Sequence, residues 1–148
     1  MRLDGGAGLP GAGAERRGMN DETKGRQQTV LICDDEPSLR ELMRVSLGPG
    51  YEFAEAADGA EALALAGRLH PDLILLDVMM PGQSGLAVLE QLRGDAAHAR
   101  TPVLVISAFS SESDRLAALD AGATAFVRKP FDPDALRRLA EELLALRV

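Results

Sequence analysis

The sequence has no tryptophan, one tyrosine and four phenylalanines, so aromatic rings can fill little of an interior. The core must come from Leu, Val, Ile and Ala, a mix common where helices pack on a sheet. A single cysteine, Cys33, excludes an internal disulfide, and its place in a short apolar run reads as a small core hydrophobe. No apolar run approaches the ~20 residues of a membrane span, and the N-terminus lacks the apolar stretch of a signal peptide. Basic residues are outnumbered, 16 Lys and Arg against 23 Asp and Glu, which gives a formal charge of −7. That balance argues against nucleic acid or an anionic membrane as partner, since both are bound by Lys and Arg clusters. A cytoplasmic location follows as the expectation.

At 148 residues and 46% hydrophobic, the chain suits one domain with a full core and is short for two. Residues 1–27 hold seven of the 15 glycines and show no periodicity, so they are expected to be a disordered tail. Met19, just ahead of the ordered pattern, offers an alternative start to Met1. Residues 28–148 form the expected domain.

Within it, short apolar runs alternate with segments of helical period. Strands are expected at 29–33, 51–56, 73–76, 103–106 and 125–127, the third and fourth as continuous apolar runs typical of strands covered on both faces. Pro37 suits the first turn of a helix whose apolar positions are Leu39, Leu42, Met43 and Leu47, stopped by Gly48-Pro49-Gly50. After Asp58-Gly59, an alanine-rich helix places Leu63, Ala66 and Gly67 on one face, with Gly67 expected to allow close packing. Gly85, Val88, Leu89 and Leu92 trace the next helix, and a short one covers 116–119. Leu136, Leu139, Ala140, Leu143 and Leu144 mark the clearest helix face, the last. Five strand–helix units imply an α/β, doubly wound five-stranded parallel sheet with right-handed crossovers, a (βα)5 flavodoxin-like three-layer sandwich.

In such folds ligands bind beyond the carboxyl ends of the strands. There the sequence puts Asp34 and Asp35 after strand one, Asp77 after strand three, Ser107 after strand four and Lys129 after strand five. Taken singly, these residues read as helix N-terminal acids, a loop aspartate, a turn hydroxyl and a solvated lysine. Together, three acids, a hydroxyl and a lysine past four buried strands form a working set for phosphoryl transfer. Converging carboxylates need a cation, and hard oxygen ligands suit Mg²⁺, held by Asp34, Asp35, Asp77 and the backbone carbonyl of Met79. Asp77 is the expected nucleophile. Lys129 would neutralise charge on the phosphoryl group and Ser107 would hydrogen-bond to it. A phosphatase would carry a second acid where Met79 stands, and a flavodoxin-like electron carrier would need a phosphate-binding loop in place of the acids after strand one.

The strings Cys33-Asp34-Asp35-Glu36-Pro37, Asp77-Val78-Met79-Met80-Pro81-Gly82, Ser107-Ala108 and Lys129-Pro130-Phe131 resemble the CheY-like response-regulator receiver family of two-component signalling, over residues 29–148. The resemblance implies a phosphoacceptor rather than an ordinary enzyme, catalysing its own Mg²⁺-dependent phosphotransfer and dephosphorylation. It implies transfer to Asp77 from the phosphohistidine of a sensor histidine kinase or histidine phosphotransfer protein. It further implies a switch coupling Ser107 to Phe126, although Phe126 also fits plain core packing, and a cis Lys129-Pro130 peptide. The output face would comprise residues 111–121, strand five and the start of the last helix, presenting Arg115, Phe126 and Arg128 to a target or, in a phosphorylation-dependent homodimer, to a second copy of an otherwise monomeric chain. Gln83-Ser84 departs from the family's usual Met-Asp without removing a ligand. Apolar Met79 and Phe109 at the rim cannot orient an attacking water, so the aspartyl phosphate is expected to be comparatively long-lived. Because no second pattern follows the last helix, the sequence suggests a free-standing receiver without a DNA-binding output domain, signalling or relaying phosphate to a separate protein.

Overall fold

The computed structural model describes residues 26–82, 84–108 and 111–146; of the expected tail, residues 1–25 lie outside this range. Five strands form one all-parallel sheet: β1 (Gln28–Cys33), β2 (Tyr51–Ala56), β3 (Leu73–Leu76), β4 (Val103–Ser107) and β5 (Ala125–Arg128), ordered β2-β1-β3-β4-β5. They alternate with α1 (Pro37–Leu47), α2 (Gly59–Leu69), α3 (Gly85–Gly94), α4 (Glu112–Asp120) and α5 (Pro133–Ala145). This is the doubly wound α/β fold that the sequence implies.

The central strands are apolar on both sides because both sides are covered. Val30, Ile32, Leu73, Leu75, Leu104 and Ile106 face α1 and α5, where Met43, Leu47, Leu136, Ala140, Leu143 and Leu144 meet them. The alternate residues Leu31, Cys33, Ile74, Leu76, Val103 and Val105 face α2, α3 and α4, against Ala62, Ala66, Val88, Leu89, Leu92 and Ala118. A strand's period of two thus feeds two cores at once, and each fully buried Leu or Ile stabilises the fold by about 1.5–3 kcal/mol.

Local chemistry sets the helix starts. Pro37 and Pro133 occupy first-turn positions, where a missing N–H costs nothing. Asp58, Ser84, Ser111 and Asp132 each accept a hydrogen bond from a backbone N–H of the first turn, and Ser111 with Asp114 forms a reciprocal capping box.

Two sequence expectations fail on packing. Leu42 is 41% exposed, because α1 turns only Leu39, Met43 and Leu47 inward and leaves Leu42 on the shoulder of the stripe. Gly67 is exposed, and a Cβ built there meets nothing within 4 Å, so it permits no close approach. A 3-10 turn, Ala96–His98, also appears where the sequence carries no periodic signal. It is held by Arg93, which donates to the carbonyls of His98 (2.8 Å), Thr101 (2.7 Å) and Gly122 (2.8 Å) and so ties α3 to the segments entering β4 and β5. Burial among these carbonyls pushes the Arg93 guanidinium below its ordinary pKa. Among the described residues, no helix is long and apolar enough to cross a membrane.

Candidate functional site: an acidic centre closed by one lysine

The chain leaves β1 toward α1 and β2 on one side and reaches β3 on the other, which opens a crevice over the carboxyl ends of β1 and β3. Asp34 and Asp35 follow β1, and Asp77 follows β3. One carboxylate oxygen from each lies within 4.8 Å of the others, with Asp34 and Asp77 buried and Asp35 exposed.

The two buried acids are held at named atoms. Asp34 Oδ1 accepts from Glu36 N (2.9 Å), and Asp77 Oδ1 accepts from Met79 N (3.0 Å). Lys129 Nζ donates to Asp34 Oδ2 (2.9 Å) and Asp77 Oδ2 (3.0 Å), joining the ends of β1, β3 and β5. Burial alone would push the Lys129 ammonium down; its hydrogen bonds to Asp34 and then Asp77, with their charge, outweigh that and hold it above its ordinary value. Backbone bonds fix the frame: Asp34 N to Ala56 O (3.0 Å), Asp77 N to Cys33 O (2.9 Å) and Lys129 N to Ser107 O (2.9 Å). The Lys129-Pro130 peptide is cis.

The structure therefore gathers Asp34, Asp35, Asp77 and Lys129 at one point and ties Ser107, fully buried at the end of β4, to the lysine through its backbone. Met79 keeps its backbone N–H on Asp77, and the residue is 49% exposed at the rim. Phe126 is half-buried on β5, in register with Val105 and packed against the core under α2, α3 and α4. Ser84 caps α3. Gln83 and Phe109 lie outside the described residues.

Of the three carboxylates, Asp34 and Asp77 share the Lys129 ammonium. Both are removed from water, where an uncompensated charge is costly. A hard divalent cation fits such a donor set.

Three further residues, Arg40, Arg44 and Glu55, escaped the reading of the sequence. Arg40 Nη1 donates to the Asp34 carbonyl (2.6 Å) and Arg40 Nε to Glu55 Oε1 (2.7 Å), while Arg44 Nη1 pairs with Glu55 Oε2. A signal was present: Tyr51, Phe53 and Glu55 share one face of β2, so a charge stands on an otherwise apolar stripe facing the helix that carries both arginines.

The sequence profile of the response regulator receiver domain matches residues 30–141. The chain is 39% identical over 117 residues to the DNA-binding dual master transcriptional regulator RpaA of Synechocystis sp., covering 78% of this chain and 46% of that protein. It is 39% identical over 111 residues to the DNA-binding response regulator MtrA of Mycolicibacterium smegmatis, covering 74% of this chain and 47% of MtrA. Among solved structures, the chemotaxis response regulator CheY4 of Vibrio cholerae superposes with a TM-score of 0.74 at 32% identity, covering 80% of this chain and 99% of that one.

The chain thus spans about half the length of the curated relatives it matches, and their names describe DNA-binding regulators. This corrects two expectations: a free-standing receiver lacking DNA-binding output, and the exclusion of nucleic acid as a partner. The acidic balance of the matched stretch carries no information about sequence that the relatives hold outside it. With the profile matched across most of its length and the acidic centre assembled at the strand ends, the chain belongs to the response regulator receiver domain family.

Proposed function

We propose that this receiver domain takes a phosphoryl group on Asp77 from the phosphohistidine of a histidine kinase or histidine phosphotransfer protein. The observation that carries the reading is the buried pair Asp34 and Asp77, both closed by Lys129, with Asp35 beside them. Asp34, Asp35, Asp77 and the Met79 carbonyl would hold Mg²⁺, which when bound neutralises charge between the carboxylates and the incoming phosphoryl oxygens.

The chain's own residues supply the rest. A carboxylate oxygen of Asp77 forms the new O–P bond as the P–N bond to the donor imidazole breaks, the ring leaving with the bonding electron pair. Met79 N–H holds the other Asp77 oxygen, which fixes the carboxylate plane. Lys129, already on Asp77 Oδ2, is in position to accompany the phosphoryl oxygens, and Ser107 at the end of β4 would bond to them afterwards. Phosphotransfer and later hydrolysis are chemistry this site performs on itself.

The output reading rests on α4, β5 and the start of α5. α4 contributes a single buried side chain, Ala118, and leaves Leu116 52% exposed, so its attachment is thin and a shift costs little. New hydrogen bonds at Ser107 and Lys129 would bias that shift, with Phe126 repacking beneath it. Incubation with acetyl phosphate, with and without Mg²⁺, tests the reading by intact mass. Metal-dependent addition of one phosphoryl group is expected, and undiminished labelling of Asp77→Asn would sink the assignment.

A further inference from the structure

We propose that Arg40 is a positioning residue for the acidic centre, acting through the backbone of Asp34; the inference rests on reading Asp34, Asp35 and Asp77 as a Mg²⁺-dependent phosphoacceptor site. Asp34 is fully buried, and each of its polar groups has a partner. Its N–H donates to Ala56 O, Oδ1 accepts from Glu36 N, Oδ2 from Lys129 Nζ, and its carbonyl from Arg40 Nη1 at 2.6 Å. The backbone three residues on cannot take over that last role, because Pro37 has no N–H.

Arg40 reaches the carbonyl from α1 and is itself anchored. Its Nε sits 2.7 Å from Glu55 Oε1 on β2, and its side chain is 15% exposed. The other Glu55 oxygen is occupied by Arg44, one helical turn further along α1. The planar guanidinium thereby joins α1, β2 and the loop after β1 at two fixed points, a geometry a lysine cannot reproduce. The Asp34-Asp35 peptide cannot rotate without breaking the Arg40 bond, so the direction of the Asp35 side chain, the exposed member of the acidic set, depends on it.

Electrostatics alone predicts the opposite effect on cation binding, which makes the proposal testable by sign. A guanidinium near three carboxylates repels a cation, so its removal should tighten Mg²⁺ binding if charge were its only contribution. A positioning role predicts weaker binding.

The experiment is a titration of the full chain with Mg²⁺ alone, followed by the backbone amide NMR signals of Asp35, Glu36, Val78 and Met79, on wild type, Arg40→Ala, Arg40→Lys and Arg44→Ala. Arg44→Ala is the control, because it removes a cation from the same helix and the same Glu55 partner but has no bond to Asp34. The proposal expects half-saturation to move up about fivefold or more in Arg40→Ala, equivalent to ~1 kcal/mol, and to stay within about twofold of wild type in Arg44→Ala. Arg40→Lys, which keeps the charge and the fold but loses the fork, should also bind more weakly than wild type, and it carries the test if Arg40→Ala does not fold. Unchanged or tighter binding in the Arg40 variants overturns the proposal, as does equal weakening in Arg44→Ala. If the wild-type amides do not respond to Mg²⁺ at all, the site reading itself falls and takes the proposal with it.

Discussion

Adding one methyl group at two glycines should have opposite effects on this domain. A Cβ built on Gly85, the first residue of α3, would lie 2.2 Å from Val78 Cα, 2.9 Å from Val78 Cβ and 3.0 Å from the Asp77 carbonyl oxygen. Most of those atoms are backbone, so the overlap cannot be relieved by turning a side chain. Either α3 or the loop after β3 must retreat by more than an ångström to reach ordinary contact. Overpacking costs typically 1–3 kcal/mol, and with backbone on one side the upper end applies, so Gly85→Ala should lose ~3 kcal/mol and lower Tm by roughly 10 °C. Gly67, inside α2, meets nothing within 4 Å. There the same methyl group removes backbone freedom from the unfolded chain and improves helix propensity, for a gain of about 0.5–1 kcal/mol. Urea unfolding followed by circular dichroism measures both. Because Val78 is bonded to Asp77, Gly85→Ala should also slow labelling by acetyl phosphate at temperatures where it is folded, while Gly67→Ala should leave it unchanged. Wild-type stability in Gly85→Ala would refute the close approach of α3 to the acidic loop.

Asp35→Ala should raise the Mg²⁺ half-saturation concentration by about tenfold or more, equivalent to ~1.4 kcal/mol, because Mg²⁺ depends on the few carboxylates it is given. Lys129→Ala should leave it unchanged or lower, since Lys129 Nζ occupies oxygens of both Asp34 and Asp77; equal weakening in the two variants would contradict this division of roles. His98 is buried against His70 with neither ring nitrogen bonded among the described residues, so His98→Leu should raise stability by about 1 kcal/mol in urea unfolding, and a clear loss would contradict the reading. Cys33 is fully buried and its thiol is pushed up by burial, then by Glu61 and Asp34, so alkylation by iodoacetamide should proceed only as fast as the domain unfolds; rapid native-state labelling would show β1 to be accessible.

The parts of this fold that were legible in the sequence are those set by one element alone. The run 73–76 is buried at every position because it is a central strand with helices on both faces, and α5 buries Leu136, Ala140, Leu143 and Leu144 from the face its period marks. Asp34, Asp35, Asp77 and Lys129 were readable because each stands within two residues of the end of an apolar run, and the parallel sheet brings all such ends to one edge. What the sequence concealed depends on how two elements meet. Leu42 obeys the helical period yet faces outward, since the width of the contact made by α1 is set by its neighbours. Gly67 looked like a packing glycine, but only tertiary structure says whether another backbone comes near. Arg40 and Glu55 pair across an element boundary, so no local spacing links them. The reading of a free-standing domain failed for a different reason: the absence of a further pattern in one stretch is silent about the longer proteins that share it.

The central claim is that Asp77 is the phosphoacceptor of a cation-dependent site, and intact-mass spectrometry after exposure to acetyl phosphate tests it most directly. Wild type, Asp77→Asn and Lys129→Ala would be compared with Mg²⁺ and with a chelator in its place. The substitution Asp77→Asn keeps the oxygen that accepts from Met79 N and removes one of the two anions on Lys129, so the fold should survive and the comparison is fair. The account predicts one phosphoryl group on wild type in Mg²⁺, labile at alkaline pH as an acyl phosphate must be. It predicts none on Asp77→Asn and none with the chelator. Labelling of folded Asp77→Asn at the wild-type rate, or wild-type labelling undiminished by chelation, would contradict it.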